Sequence, residues 1–251
     1  LPVRLTHWIA ALALGILAMS GMQIFNAHPA LYASDVSHFD RPVFKIGADE
    51  PLAGNPVGYV QIGSLRVNTT HVLGYGPDGM GGEIGRAFPS WATIPTYQDL
   101  ADGRRWHIFF AWVLVVCGVI YAYFALRLLP SRADLRELPH TLRTHLVPWR
   151  LPREPQLNPL QKVSYVGIIF IVVPIVVASG LALSPSVDAW LPWLPQLFGG
   201  RQFARIWHFG GMIALMAFFV VHLVMVALTG LINNLRSMIT GWYVVKGRKS
   251  V

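Results

Sequence analysis

Two histidines, His208 and His222, stand fourteen residues apart in ARIWHFGGMIALMAFFVVHLVMVALTG, residues 204–230, where nearly every other side chain is apolar. His7 in RLTHWIAALALG and His107 in GRRWHIFFAWVL stand near the start of two further apolar runs. A neutral imidazole can coordinate a metal ion through one ring nitrogen while the other donates a hydrogen bond. Rings of this kind in apolar surroundings can ligate a metal, relay protons, or simply hydrogen-bond near a membrane boundary. What separates these chemistries is where the surrounding elements place the four rings.

Composition defines those elements. The chain has 251 residues, 54% hydrophobic and 13% charged, too apolar for an ordinary soluble domain. A bilayer core needs about 20 mostly apolar residues to be crossed by a helix, and four stretches have that length. They are 3–25, 104–129, 159–183 and 204–231. The first has a long apolar part and no small-residue cleavage pattern ahead of a soluble domain, so it reads as a retained span rather than a signal peptide. Because numbering starts at Leu1, a short preceding piece is expected, with a few helical residues ahead of Pro2. The fold class expected is an all-α integral membrane protein, a four-transmembrane-helix bundle forming one domain over 1–251.

Basic residues orient the spans. Arg127, Arg132, Arg136, Arg143, Arg150, Arg153 and Lys162 flank or fill the 130–158 connection, and Arg236, Lys246, Arg248 and Lys249 follow the last span. The positive-inside rule makes that connection and both termini cytoplasmic. Residues 26–103 then form a long outward-facing loop whose acids (Asp35, Asp40, Asp49, Glu50, Asp78, Glu83, Asp99) outnumber its bases. Apolar and aromatic residues recur through it, among them Phe39, Phe44, Tyr59, Phe88, Trp91 and Tyr97, so it is expected to fold into a small cap. Much of the net charge of +8 is therefore topology. Nucleic acid is not an expected partner, since the basic residues are not interleaved with stacking aromatics in a soluble module.

Helix geometry now sorts the histidines. Fourteen residues make just under four turns, so His208 and His222 project within about 40° of each other, about 21 Å apart along the axis. With the orientation above, His107 and His208 share the outer depth and His7 and His222 the inner one. Two imidazoles facing each other across a bundle interior are what a six-coordinate haem b requires. Two haems would form a ladder across the membrane. The single cysteine, Cys117, excludes an intrachain disulfide, a CxxCH haem attachment and a cysteine-ligated iron–sulfur cluster, and reads as packing. No glycine-rich phosphate loop, HExxH or Ser/His/Asp arrangement is present.

The pattern RLTHW in the first span, RRWH in the second, and WH followed fourteen residues later by H in the fourth resembles the bacterial di-haem cytochrome b family. That family includes the membrane subunits of formate dehydrogenases, nickel–iron hydrogenases and thiosulfate-reductase-like enzymes. The resemblance covers all four spans and implies that His7 and His222 share one haem and His107 and His208 the other. It also implies electron transfer between a redox subunit outside and a quinone pool, in a bacterial inner membrane with 26–103 as a long periplasmic loop. The 26–103 connection is longer than in the simplest members.

Further residues fit this reading. Arg104, Arg105, Arg201 and Arg205 sit against the positive-inside trend beside His107 and His208, where they could pair with haem propionates or anchor helix ends. Gly15, Gly118, Gly210 and Gly211 could admit a porphyrin face or a close helix contact. Pro174 reads as a kink, and Ser179, Gly180 and Pro185 as a helix end. His28, His38, His71, His140 and His145 lie in connections and read as solvated. Asn158, Gln161 and Arg4 are candidates for a quinone site near the inner haem, although Asn158 ahead of Pro159 also reads as a helix cap.

The expected function is transmembrane electron transfer by a subunit with two non-covalent haem b groups. It would link the quinone pool to a periplasmic molybdenum, nickel–iron, iron–sulfur or cytochrome partner that performs the substrate chemistry. Two other readings stay open: a partner-independent quinol or metal reductase, and a proton or metal transporter that uses the histidines.

Overall fold

The structure, a computed structural model, describes residues 1–51, 54–145 and 157–244. Arg150, Arg153, Lys246, Arg248 and Lys249, which enter the orientation argument, lie outside the described residues. Among the described residues four helices are long and apolar enough to cross a membrane: Pro2–Asn26, Leu100–Leu128, Pro159–Ala182 and Arg201–Thr240. The chain divides into two compact units. A cap unit comprises Ile9–Val116 and Ile175–Met212; a terminal unit comprises Leu1–Trp8, Cys117–Pro174 and Ile213–Val251.

In the cap unit, helix α1 (Pro2–Asn26) carries a polar stripe at i, i+3 and i+6 formed by Ser20, Gln23 and Asn26, all buried. Buried polar groups need partners, and Gln23 and Asn26 find them outside the helix. Asn26 accepts from the Phe88 amide at 2.8 Å and donates to the Phe88 carbonyl at 3.3 Å, as a neighbouring strand would. Gln23 donates to the Tyr97 carbonyl at 3.0 Å. Phe25 stacks on Phe209 with ring centroids 4.9 Å apart, meets Phe88 edge-on and lies tilted against Phe44.

The all-α expectation fails in the connection between the first two spans, where six strands lie among the described residues. Strands β1 (Ala30–Leu31), β2 (Phe44–Asp49), β3 (Val57–Ile62) and β4 (Leu65–Asn68) make an antiparallel sheet in sequence order, with Ile46 opposite Val60. Strands β5 (Gly74–Pro77) and β6 (Glu83–Arg86) make a second, two-stranded sheet. The physical reason lies in short apolar segments such as VGYVQI punctuated by Gly, Pro and Asn: too short for helices, they pair as strands and bury few side chains, Ile46 and Tyr59 among them. Close backbone approach replaces side-chain packing at Gly58 and Gly74. A Cβ on Gly74, whose φ is +83°, would collide with the Gly47 carbonyl and the Tyr59 amide. Helix α2 (Leu100–Ala125) starts where the Asp99 carboxylate accepts from the Asp102 amide at 2.9 Å.

In the terminal unit, helix α3 (Arg132–His145) follows α2 after a short turn and is held against α4 (Pro159–Gly167) by the Asp134–Lys162 pair at 2.9 Å. A π-helical turn, Ile168–Val172, joins α4 to α5 (Val173–Ala182). Pro174 has no N–H for the usual helical bond, so the turn before it widens, and the expected kink takes this form. Short helices α6 (Pro185–Trp190) and α7 (Leu194–Leu197) follow in the cap unit and lead into α8.

Helix α8 (Arg201–Thr240) runs beyond the expected end at 231 and breaks at Gly230, where φ is +124°. Asn234 bridges the break, donating to the Val226 carbonyl at 3.1 Å and the Thr229 hydroxyl at 2.9 Å. The Val226 carbonyl beside the break thus has a donor, which is why a polar Asn is tolerated there.

Candidate metal centres

In the cap unit α2 carries His107 and α8 carries His208, with ring centroids 6.0 Å apart and planes at 68°. Both rings are tied by Nδ1. His208 Nδ1 lies 2.9 Å from the Val176 carbonyl, which can only accept, so this nitrogen carries the proton. Ser179 Oγ stands 3.3 Å from the same nitrogen while donating its own hydrogen to the Ile175 carbonyl at 2.6 Å. His107 Nδ1 meets Ser20 Oγ at 3.1 Å, and Ser20 donates to the Ile16 carbonyl at 2.7 Å. With each hydroxyl hydrogen used inside its own helix, an oxygen lone pair faces each ring. The network therefore assigns Nδ1–H in both histidines and leaves both Nε2 lone pairs free. Gly21 and Gly180 make the room: a Cβ on Gly180 would lie 2.9 Å from His208 Cε1, and one on Gly21 3.3 Å from His107 Cε1.

In the terminal unit His7 of α1 and His222 of α8 have centroids 6.2 Å apart and planes at 64°. Their surroundings are aromatic. Phe218 stacks on His222 at 5.9 Å and 20°, Tyr165 meets it edge-on at 6.4 Å, and Trp8 meets His7 edge-on at 5.4 Å. Among the described residues no hydrogen bond holds the ring nitrogens of this pair.

These spacings test the expected cofactor. A first-row metal ion takes an imidazole nitrogen at about 2.0–2.1 Å, so two rings on opposite sides of one ion have centroids roughly 6 Å apart. Both pairs meet that condition. Among the described residues no group of three or more His, Cys, Asp or Glu side chains could hold a metal ion. Two imidazoles are a sparse set for a bare cation but a complete axial set for an iron already held by four porphyrin nitrogens. A Cβ on Gly15 or on Gly210, two residues after His208, would meet open space.

Residues 1–241 match the family described as prokaryotic cytochrome b561. The chain belongs to that family. It is thus a multi-pass membrane cytochrome of b type. It is 30% identical over 248 residues to a protein of Azospira oryzae named provisionally as YedZ1, a protein-methionine-sulfoxide reductase subunit, covering 95% of this chain and 93% of that one. It is 22% identical over 256 residues to a protein of Azotobacter chroococcum named provisionally as a Ni/Fe-hydrogenase B-type cytochrome subunit, covering 98% and 87%. No solved structure matches.

The remaining candidates of this cytochrome fall out unevenly. Arg104, one turn before His107, is exposed, whereas Arg105 pairs with Asp102 at 2.8 Å. Arg205 donates to the His28 carbonyl at 2.9 Å and to Gln202 at 3.2 Å, and Arg201 donates to the Leu183 carbonyl at 2.7 Å. Of the other glycines, Gly211 marks a tight contact with Val176, while Gly118 has only Val173 at 3.9 Å. Asn158 and Gln161 form a reciprocal capping box, at 2.9 and 3.1 Å, so their side-chain oxygens serve the helix start. Arg4 donates to the Ile239 carbonyl at 3.1 Å.

His28 departs from the solvated expectation. It is half-buried, its Nε2 is buried without a hydrogen-bond partner, and burial followed by the Arg205 charge lowers its pKa. Arg86 is buried in the cap and donates to the Asp78 and Thr96 carbonyls, to Gln23 and to Thr93. Burial lowers its pKa, offset by Asp78.

Ser20, Ser179, Gly21, Gly180, Phe218 and Tyr165 are the site residues that spacing arguments miss. Ser20 and Ser179 did carry a signal. Each is a lone hydroxyl toward the end of an apolar run, where it must bond to its own helix or serve a neighbour.

Proposed function

We propose that this cytochrome carries two non-covalent haem b groups, one held by His107 and His208 and one by His7 and His222, and passes electrons between a redox partner and the quinone pool. The observation that supports it most is the pair of histidine spacings, 6.0 and 6.2 Å, each bringing together two different helices. A bound haem supplies reversible one-electron chemistry at its iron. The chain's own residues present the imidazoles, hold their orientation, and exclude water with apolar walls. Arg104 and Arg205, each three residues before a histidine of the first pair, are the candidate cations for the propionates of the first group, with Arg105 available if it leaves Asp102.

The quinone is proposed to bind in the terminal unit, where the Asn158 and Gln161 amides and Arg4 offer polar groups beside His7 and His222. Both termini are proposed to face the cytoplasm and the β-sheet cap the periplasm. The cap's surplus of acids suits a basic region of an exported partner. Relatives named as subunits of a hydrogenase and of a methionine sulfoxide reductase support a partner that performs the substrate chemistry.

The test is a dithionite-reduced minus oxidised spectrum with haem quantification on the purified chain and on single His→Leu variants. About two acid-acetone-extractable haems per chain are expected, since four axial histidines complete two sites. His107→Leu and His208→Leu should remove one spectral component, and His7→Leu and His222→Leu the other. One haem in a haem-saturated preparation, or the same component lost from His7→Leu and His107→Leu, overturns the pairing. A colourless protein would favour the transporter reading.

A further inference from the structure

Helix α3 has a use that electron transfer does not explain. Its orientation is settled by one face: Asp134 bonds Lys162 at 2.9 Å, Thr141 is buried and Leu138 is half-buried, all within one arc of the helical wheel. Lys162 belongs to the first turn of a membrane-spanning segment that begins at Pro159. The Asp134–Lys162 bond therefore holds α3 at the level where apolar span gives way to water. At this same N-terminal end only Leu129, Pro130 and Ser131 separate α3 from the span that ends at Leu128, while half-buried Leu138 and buried Thr141 keep the later turns on the same face.

The rest of the surface is divided in two. Leu135 and Leu142, i and i+7, are 50% and 51% exposed and lie on one arc with exposed Pro139. Arg132, Arg136, His140 and Arg143 are exposed and fall within the adjoining arc of about 80°. Among the described residues none of the three arginines forms an ion pair, and Glu137 lies on a different arc. An apolar edge running beside a row of unpaired cations, at the depth of a lipid headgroup, matches a surface that lowers leucines into acyl chains and offers guanidinium groups to phosphates.

We propose that α3 is an anionic-phospholipid site: Leu135 and Leu142 enter the bilayer while Arg132, Arg136 and Arg143 bind the phosphodiesters of acidic lipids. This stands apart from the haem reading, because it concerns no residue of either histidine pair. The ligand is the bilayer lipid and not free phosphate, since the leucine edge has no role toward a soluble ion.

The test uses the haem-loaded protein in nanodiscs of phosphatidylcholine with or without phosphatidylglycerol. Nitroxide labels go on Leu135→Cys and, as a control on another arc, Ala133→Cys, in a Cys117→Ala background. The expected result is that the label at 135 collides with oxygen in preference to a water-soluble nickel chelate, more so with phosphatidylglycerol, while the label at 133 shows the reverse. Replacing Arg132, Arg136 and Arg143 by Gln should remove the phosphatidylglycerol dependence and weaken retention of that lipid by about fivefold per arginine. Added inorganic phosphate should change nothing. The unlabelled wild type and the triple Gln variant, compared by native mass spectrometry for bound phosphatidylglycerol, give a readout that needs no cysteine. Equal water access at 135 and 133, unchanged lipid retention in a triple variant with an intact haem spectrum, or displacement by inorganic phosphate overturns the proposal.

Discussion

The two histidine pairs have nearly the same spacing but are built differently. In the cap unit, hydroxyl and carbonyl oxygens on α1 and α5 hold Nδ1 of His107 and His208, so tautomer and ring angle are determined by hydrogen bonds. In the terminal unit, the rings of His7 and His222 are positioned by Trp8, Tyr165 and Phe218, which act through shape alone. An acceptor on Nδ1–H makes an imidazole more basic and a better donor to oxidised iron. Packing by aromatic faces gives no such push. One scaffold can thus offer an iron the same ligands at two different electron-donating strengths, and the anchored pair is expected to hold the lower-potential centre.

The largest expected effect comes from steric intrusion on the anchored pair. Gly180→Ala puts a methyl group 2.9 Å from His208 Cε1, and the ring cannot swing away without breaking its bond to the Val176 carbonyl. Overpacking of this kind costs about 1–3 kcal/mol. Titrating haem into the apoprotein should show weakened binding at one site and an untouched second spectral component; equal weakening of both would break the comparison.

A smaller effect should follow from Ser20→Ala and Ser179→Ala, which remove one acceptor each and leave the ligands in place. Haem content should stay constant while the potential of the anchored component rises by up to about 60 mV, the worth of one hydrogen bond in a one-electron couple. Redox titration checks this, with Phe218→Leu as the converse, expected to alter only the other component. A Ser179→Ala variant whose two potentials both stay put would leave the serines as helix-internal donors only.

The smallest effect concerns acid. Lys162, together with Ser131, holds the Asp134 carboxyl down at about 2. A carboxyl with a depressed folded-state pKa contributes stability that is fully present above its unfolded value, about 3.9, and is lost as pH falls through the folded value. Asp134→Asn should therefore lower the thermal midpoint of the terminal unit slightly at pH 7, and the gap to wild type should narrow as pH falls from 4 through 2. Following, during melting, the visible absorbance of the spectral component that His7→Leu removes measures it; a gap as wide at pH 2 as at pH 7 would show that the pair does not act through charge.

Much of this was readable in advance because membrane spans announce themselves. A run of about 20 apolar residues has few alternatives in lipid, and helical periodicity turns the fourteen-residue spacing into a shared face. The four apolar helices and the expectation of two histidine pairs came from those constraints. The cap was harder to read, since strands such as Leu65–Asn68 are short, exposed throughout, and stabilised only by neighbours distant in sequence. Its β-structure was missed for that reason.

By itself, then, the sequence determined that this chain crosses a membrane with four helices and that His7, His107, His208 and His222 lie on them, because hydrophobic length and helical period are local properties. Only the tertiary structure decided that Ser20 faces His107, that Ser179 and the Val176 carbonyl face His208, and that Phe218 and Tyr165 face His222. Those contacts join residues as far as 87 positions apart. They depend on which faces of different helices meet, which no local pattern encodes.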